Sequence, residues 1–462
     1  MDKRILGIIL GIFIFISGFF IGEIPGLTGE GKDVLILLAI ALVLWLTEAI
    51  PLGITSMLLL VLQPILGITN LKNSVAAFSN PVIFFVIANF GVSYAITKSS
   101  IAKRMLFFLL KRFGTNTNTI LFAFMSATCL ISSIMSNVPA TALFMGLALG
   151  LVDLADQENI RKSIGRTFMI AIPFAGMIGG IMTPAGSSIN ILTLNLMKEY
   201  SNAHISFVEW MLIGIPIAIV LLPMTWFILV KIYKPMNMNP DKINEFIQGY
   251  SVENKMEPLD KKVAAIILGM LAFWVLSSWI PALDVTIVAI IGLAIMFLPG
   301  IDILNWPEFS KSVSLNTILM IGSVISVSSA VVSTGVGEWL LKNFFDVPQD
   351  ISIVLLLGIL GIFIALLHLP IPIAPAIVMI MLYPLVSVAA NMDISIIAFG
   401  VPMAFYAGCC MMLPLDPVPL LTYSTGYYTM LDMFKGGSLA TLSWIAFTSI
   451  WTPVALTMLG IL

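Results

Sequence analysis

Apolar runs of about 18 or more residues recur from one end of the chain to the other, each long enough to cross the ~30 Å hydrocarbon layer of a bilayer as a helix. They predict spans near 5–22, 33–50, 52–68, 81–98, 166–200, 208–232, 263–281, 285–299, 314–333, 395–430 and 438–461. Two further apolar regions, 116–154 and 351–390, are interrupted at their middles by Ser136-Asn137-Val138-Pro139 and by His368-Leu369-Pro370-Ile371-Pro372. These interruptions predict hairpins that enter and leave the membrane on one side. The first run follows Asp2-Lys3-Arg4 and ends in Gly22-Glu23-Ile24-Pro25 without an A-x-A site, so it reads as a retained span and not a signal peptide.

Composition and charge sharpen this reading. The chain is 59% hydrophobic and only 10% charged, whereas soluble domains run near a quarter charged, which excludes a soluble enzyme. With the N-terminus in the cytoplasm, every Lys and Arg except Lys32, Lys72, Lys198 and Lys342 falls on the cytoplasmic side, as the positive-inside rule requires. That balance holds if 116–154 and 351–390 each return to their own side. A pair of full spans fits the charges equally well, and the polar and proline interruptions decide for hairpins. The apolar stretch 98–112, punctuated by Lys98, Lys103, Arg104, Lys111 and Arg112, is expected to lie along the cytoplasmic interface, with an outer counterpart near 335–346. The polar segment 235–260 reads as a connection between halves. Cys129, Cys409 and Cys410 sit in apolar surroundings without metal or disulfide spacing and are expected to serve packing.

The two halves share a plan. Trp45-Leu-Thr-Glu-Ala-Ile-Pro51 followed by Thr55 echoes Trp274 to Pro281 followed by Thr286, and an offset of roughly 230 to 235 then persists. Asn80-Pro81 and its span parallel Asn316 and its span; Ser136-Asn137-Val138 meets Ile371-Pro372-Ile373; the break Thr183 to Asn190 meets Leu413 to Thr425. The expected fold class is therefore an all-α polytopic membrane protein of eleven spans, an inverted repeat of five spans plus one re-entrant hairpin per half. An odd number of crossings per half puts the halves in opposite orientation, the plan of secondary transporters, which place substrate where the repeats meet near the midplane.

Unpaired backbone groups inside a bilayer cost several kcal/mol, so breaks at membrane depth persist where protein or a water-filled cavity satisfies them. Ser136 and Asn137 ahead of Pro139 have the order of a capped half-helix, whose N-terminus can hold a carboxylate, and Ser132, Ser136 and Asn137 are hard oxygen ligands suited to sodium. In Thr183-Pro184-Ala185-Gly186-Ser187-Ser188-Ile189-Asn190, Gly186 permits close backbone approach and Ser187 or Ser188 can cap the following helix. In the second half His368 is the ionisable group of the hairpin, and ionisable groups near a midplane are usually functional. The last break, Leu413 to Pro419 continuing to Thr422, carries Asp416, which can pair with His368, line a cavity or cap the next half-helix. Glu48, at the cytoplasmic end of its span, reads as part of the frame.

On Leu44-Trp-Leu-Thr-Glu-Ala-Ile-Pro-Leu-Gly-Ile-Thr-Ser56, Ser136-Asn137-Val138-Pro-Ala-Thr141 and Thr183-Pro-Ala-Gly-Ser187, the chain resembles the divalent anion/sodium symporter family over essentially its whole length. The resemblance implies a homodimer in which a transport domain slides against a scaffold in an elevator motion, carrying di- and tricarboxylates. The transport domain then comprises 116–207 and 351–430. The scaffold takes 1–115 and 208–350, with 431–462 as the last span. The resemblance implies substrate contacts from Ser136, Asn137, Val138 and Thr141 at the first tip. It places further contacts at Gly186, Ser187 and Ser188 in the first break, and at Pro372, Pro417 and Thr422 in the second half. A retained first sodium site would use Ser132, Ser136, Asn137 and Gly186.

The chain departs from the family pattern at both repeats. Val138 replaces the Thr of a Ser-Asn-Thr motif, Ile371-Pro372-Ile373 replaces the second such motif, and Asp416-Pro417-Val418-Pro419 replaces a Thr-Pro-Pro-Asn break. These departures lean toward the family's sodium-independent exchangers, with His368 supplying the charge that sodium otherwise brings. No cofactor is expected, sodium being possible. The expected partners are small dicarboxylates, lipid and a second copy of the chain, with no nucleic acid, in a bacterial inner membrane with a cytoplasmic N-terminus. A sodium-coupled symporter is the nearest alternative. No ring of acidic or carbonyl-lining repeats suggests a channel. No H-E-x-x-H or G-x-S-x-G context suggests an intramembrane hydrolase.

Overall fold

A computed structural model describes residues 2–249, 256–280, 282–344, 351–369, 371 and 373–462, and every regular element among them is helical. The first half runs through α1 (Lys3–Gly18), α2 (Gly29–Thr47), α3 (Leu52–Ile65), the short α4 (Leu71–Ala76), α5 (Pro81–Lys98) and α6 (Ile101–Phe113). It continues with α7 (Thr117–Ser132), α8 (Asn137–Val152), α9 (Glu158–Gly180), α10 (Ser188–Ser201) and α11 (Phe207–Tyr233). After α12 (Pro240–Gly249) the order repeats: α13 (Pro258–Leu276), α14 (Val285–Met296), the short α15 (Trp306–Ser312), α16 (Leu315–Ser333) and α17 (Val336–Phe344). Then come α18 (Ile353–Leu367), α19 (Ala374–Asn391), α20 (Ile397–Ala407), α21 (Pro417–Tyr423) and α22 (Met430–Met458).

Six of these, α5, α9, α11, α16, α19 and α22, are both long and apolar enough to cross a membrane, and α3, α7, α8, α14, α18 and α20 are shorter apolar helices. Local chemistry sets their ends. Asn80 caps α5 with Pro81 in the first turn, and Thr28 caps α2. Ser206 with Glu209, and Thr429 with Asp432, form reciprocal capping boxes at α11 and α22. Glu48 closes α2 in the left-handed conformation with φ 46° and lies 3.9 Å from Lys3, both side chains exposed.

The matched plan read from the sequence is visible in the packing. Helices α7 and α8 both lie on α9, as α18 and α19 both lie on α20. The short helix α21 packs on α8 and α9, and its counterpart α10 packs on α19 and α20. Each hairpin is thus completed by the post-break helix of the other half. Around them α3 pairs with α16, α5 with α14, and α11 with α22.

Two predicted spans are discontinuous, as their internal breaks suggested. The 166–200 region is α9, a 3-10 turn Pro184–Gly186 and α10, and the 395–430 region is α20, an irregular stretch and α21. The amphipathic stretches become α6, with Ala102, Leu106, Phe107 and Leu110 buried, and α17; the predicted 345–346 end of the latter lies outside the described residues. The connection 235–260 holds more than a link. Its helix α12 buries Ile243 and Phe246, and the Phe246 ring lies 5.8 Å from Phe107 and 6.3 Å from Phe124. Two buried apolar positions among many polar ones hid this helix from a reading based on average polarity.

Candidate functional site

The first tip is built where the α7–α8 turn meets the end of α9. Ser132 is fully buried, and its Oγ lies 2.8 Å from the Gly176 carbonyl and 2.9 Å from Asn137 Oδ1. One hydroxyl proton faces two acceptors, so three hard oxygens converge with fewer protons than they can use. Such an oxygen set fits a sodium ion. Closeness here depends on glycine: a Cβ on Gly180 would stand 2.4 Å from Asn137 Oδ1, and one on Gly186 would stand 2.7 Å from the Gly180 carbonyl.

Ser136 takes the N-cap position of α8, with Pro139 in the first turn, but its side chain makes no capping bond, contrary to the capped half-helix the sequence suggested. The hydroxyl and the first-turn N–H groups are left for another partner. Val138 is exposed, Asn137 is half-buried, and Thr141 is buried with no partner for its hydroxyl.

The first break is held shut by side chains. Thr183 Oγ1 donates to the Ser133 carbonyl at 2.6 Å and accepts from the Gly186 N–H at 3.1 Å. Asn190 Nδ2 donates to the carbonyls of Gly180 at 2.8 Å and Thr183 at 2.9 Å. Ser187 caps α10 through the Ile189 N–H, and Ser188, half-buried, begins that helix. Two residues that the sequence reading missed complete the hold: Trp210 on α11 donates to the Ile181 carbonyl at 3.0 Å, and Asn89 on α5 donates to the Ala185 carbonyl at 3.3 Å. A lone Asn in an otherwise apolar span was the available signal for Asn89.

The second half is chemically different at the matching place. His368 ends α18 and is 4% exposed; its ring nitrogens face the carbonyls of Tyr406 and Ala407 without a hydrogen bond of ordinary geometry. It borders a cavity with about 10 Å³ of room for a water centre, enough for one water, lined also by Cys409, Cys410 and Leu413. Ile371 and Ile373 are buried. Pro370 and Pro372, named from the sequence, lie outside the described residues.

Of the three roles open to Asp416, the structure takes the cap: it accepts from the Val418 N–H at 3.0 Å and begins α21, and no His368–Asp416 ion pair occurs among the described residues. Pro417 is exposed in the first turn. Thr422 is buried, within 3.1 Å of both the Pro419 carbonyl and the Tyr428 hydroxyl. The three cysteines are buried and free, as packing residues would be. Among the described residues no cluster of three or more His, Cys, Asp or Glu forms a metal centre.

Long apolar helices, broken spans and paired hairpins define a polytopic membrane protein with a transporter's architecture. The sodium:sulfate symporter transmembrane region matches residues 2–461, and the chain belongs to this family, the divalent anion/sodium symporters. It is similar to the sodium-dependent dicarboxylate transporter SdcS of Staphylococcus saprophyticus, 25% identical over 460 residues, 94% of this chain and 88% of the relative. SdcS of Staphylococcus aureus strain USA300 is 25% identical over 458 residues, with the same 94% and 88% coverage. A membrane protein of Cupriavidus necator is 25% identical over 414 residues, 85% and 80% of the two chains. Among solved structures the fold is similar to the Alcanivorax borkumensis YdaH transporter, with TM-score 0.55 and 13% identity over 84% of this chain and 88% of that one.

Proposed function

We propose that this transporter exchanges C4 and C5 dicarboxylates, of the kind of succinate, malate, fumarate and 2-oxoglutarate, across a bacterial cytoplasmic membrane without sodium. The observation that carries the reading is the contrast between halves: Ser132, Asn137 and Gly176 gather oxygens in the first, whereas Ile371, Ile373 and His368 stand at the matching place in the second.

The N-terminus of α8, with the Ser136 hydroxyl free of capping, receives one carboxylate, assisted by Asn137 and Thr141, with Val138 shaping the wall. Gly186, Ser187 and Ser188 border the same region from the first break. The other carboxylate lies toward Pro417 and Thr422. Asp416 caps α21 through the Val418 N–H, so that helix terminus is not itself the carboxylate's seat. No described carboxylate pairs with His368, and in this reading its imidazole takes the role that sodium would otherwise fill.

In the proposed architecture eleven spans, five plus one re-entrant hairpin in each oppositely oriented half, leave the N-terminus in the cytoplasm. The segments 116–207 and 351–430 move as an elevator against a scaffold of 1–115 and 208–350, with 431–462 as the last span, in a homodimer. An empty moving unit without a bound cation would carry unpaired polar groups through the bilayer, so the loaded form crosses and exchange is obligatory.

A second reading, sodium-coupled symport, is favoured by the Ser132-centred oxygens and by the names of the staphylococcal relatives. There Ser132, Ser136, Asn137 and Gly186 would hold the ion. Uptake of labelled succinate into proteoliposomes tests both. Uptake that needs internal dicarboxylate and ignores sodium is expected; sodium-dependent uptake into empty vesicles would establish the second reading and sink the first.

A further inference from the structure

Helices α5 and α16 occupy equivalent places in the two halves: α5 packs on α14 and precedes α6, and α16 packs on α3 and precedes α17. Each carries an asparagine at its start, Asn80 as the N-cap of α5 and Asn316 in the first turn of α16, whose N-cap is Ser314, and the two asparagines are used differently. Asn80 caps α5 through Oδ1, accepting from the Val82 N–H at 3.0 Å, and its Nδ2 donates to Asn195 Oδ1 on α10 at 2.9 Å. Asn89, further along α5, donates to the Ala185 carbonyl. Helix α5 therefore grips its own half's broken segment at two points. Asn316 instead accepts from the Gly53 N–H on α3 at 3.2 Å, and among the described residues α16 makes no hydrogen bond to α21 or to the 408–416 stretch.

The same parts in a two-fold plan, engaged on one side and disengaged on the other, are what a two-state element looks like when frozen in one state. Exchanging the roles of the halves generates the other state. Ser424 stands as far past the N-cap Asp416 as Asn195 stands past the N-cap Ser187, and it is exposed, bonding only locally to the Leu421 carbonyl at 2.6 Å.

We propose that Asn80 and Asn316 form an alternating latch: Asn80 holds Asn195 in the state described here, and in the opposite state Asn80 lets go while Asn316 leaves Gly53 and engages Ser424. This rests on the elevator reading above, in which α10 and α21 move and α5 and α16 stay. The latch is a property of these side chains, separate from the substrate.

Two cysteine pairs test it in the full-length protein in membranes, against single-cysteine controls that account for the three buried native thiols. Asn80→Cys with Asn195→Cys is expected to crosslink under mercury or oxidation and to stop transport until reduced. Asn316→Cys with Ser424→Cys is expected to crosslink too, although these residues do not bond each other in this structure. Asn80→Ser keeps a cap oxygen for Val82 and removes the amide that reaches Asn195. In that background the 316/424 crosslink is expected to rise about 2- to 10-fold, the shift that loss of one net hydrogen bond gives a two-state equilibrium.

A 316/424 yield no higher than the single-cysteine controls overturns the latch, as does undiminished transport by the 80/195-crosslinked protein. If dicarboxylate uptake is absent from the reduced protein, the substrate assignment fails while the two crosslink yields still report the latch.

Discussion

Ser132 Oγ stands 2.9 Å from Asn137 Oδ1 and 2.8 Å from the Gly176 carbonyl, a hydroxyl placed between two acceptors with one proton to give. Either a cation or a ligand N–H group relieves that arrangement. Asn137→Ala removes the side-chain amide, whose Nδ2 can donate to a carboxylate, and should weaken succinate binding at least 10-fold, at about 1.5–3 kcal/mol for a hydrogen bond to a charged group. Unaltered uptake would remove the first tip from the site.

Gly180→Ala tests the same tip without touching a polar group. The new methyl would meet Asn137 Oδ1 at 2.4 Å and must push the tip away from α9. Dicarboxylate uptake should fall at least about 10-fold while the protein still elutes as a folded species, since strain of about 1–3 kcal/mol falls short of a domain's total stability. Size-exclusion chromatography run beside uptake separates the two effects.

His368→Gln keeps a polar side chain and removes the possibility of a full positive charge. Exchange should drop several-fold with no compensation by added sodium if the imidazole supplies charge to the loaded state. Wild-type exchange in His368→Gln would leave the residue a packing role around its one-water cavity.

Asp260, in the first turn of α13, is 2% exposed and accepts from the Ser100 N–H at 2.8 Å, from the Ser100 hydroxyl and from Arg104 Nε at 3.2 Å. Burial pushes its carboxyl up, but the Ser100 bonds and then Arg104 outweigh it and hold the carboxyl below its ordinary value of 3.8. A depressed folded-state pKa gives stability that is present above the unfolded value and lost as pH falls through the folded one. Thermal stability in detergent should therefore fall as pH drops from about 4 downward. Asp260→Ala should cost about 2–3 kcal/mol at neutral pH and flatten that acid limb.

Phe246→Ala should free α12 from Phe107 and Phe124, at a cost of about 2–4 kcal/mol if the site collapses partly. Limited proteolysis should then cut the 235–260 connection faster. An unchanged cleavage rate would mean that α12 stays docked through Ile243 and Ile247.

Much of this fold was legible because a bilayer permits few solutions: helix length and interrupted runs together locate both broken segments in the sequence. Ser132 and Asn137 at the first tip and Thr183 in the first break were legible for the same reason, since hydroxyls and amides near Pro in an apolar run need partners. Asn89 and Trp210 were not, because each serves a break in a different segment, and sequence carries no sign of which distant carbonyl a lone donor will meet. The Asp416 cap was one of three open choices, and packing of α21 decided it. Helix α12 escaped because two buried residues suffice to dock a short helix.

The crossed assembly, in which α21 closes on α8 and α9 while α10 closes on α19 and α20, also orders events at the ribosome. The first hairpin cannot find its last neighbour until nearly the whole chain has been synthesised, so the early half must wait in the insertion machinery or beside lipid with its tip unfinished. Two separately made halves should recover the fold only when present together.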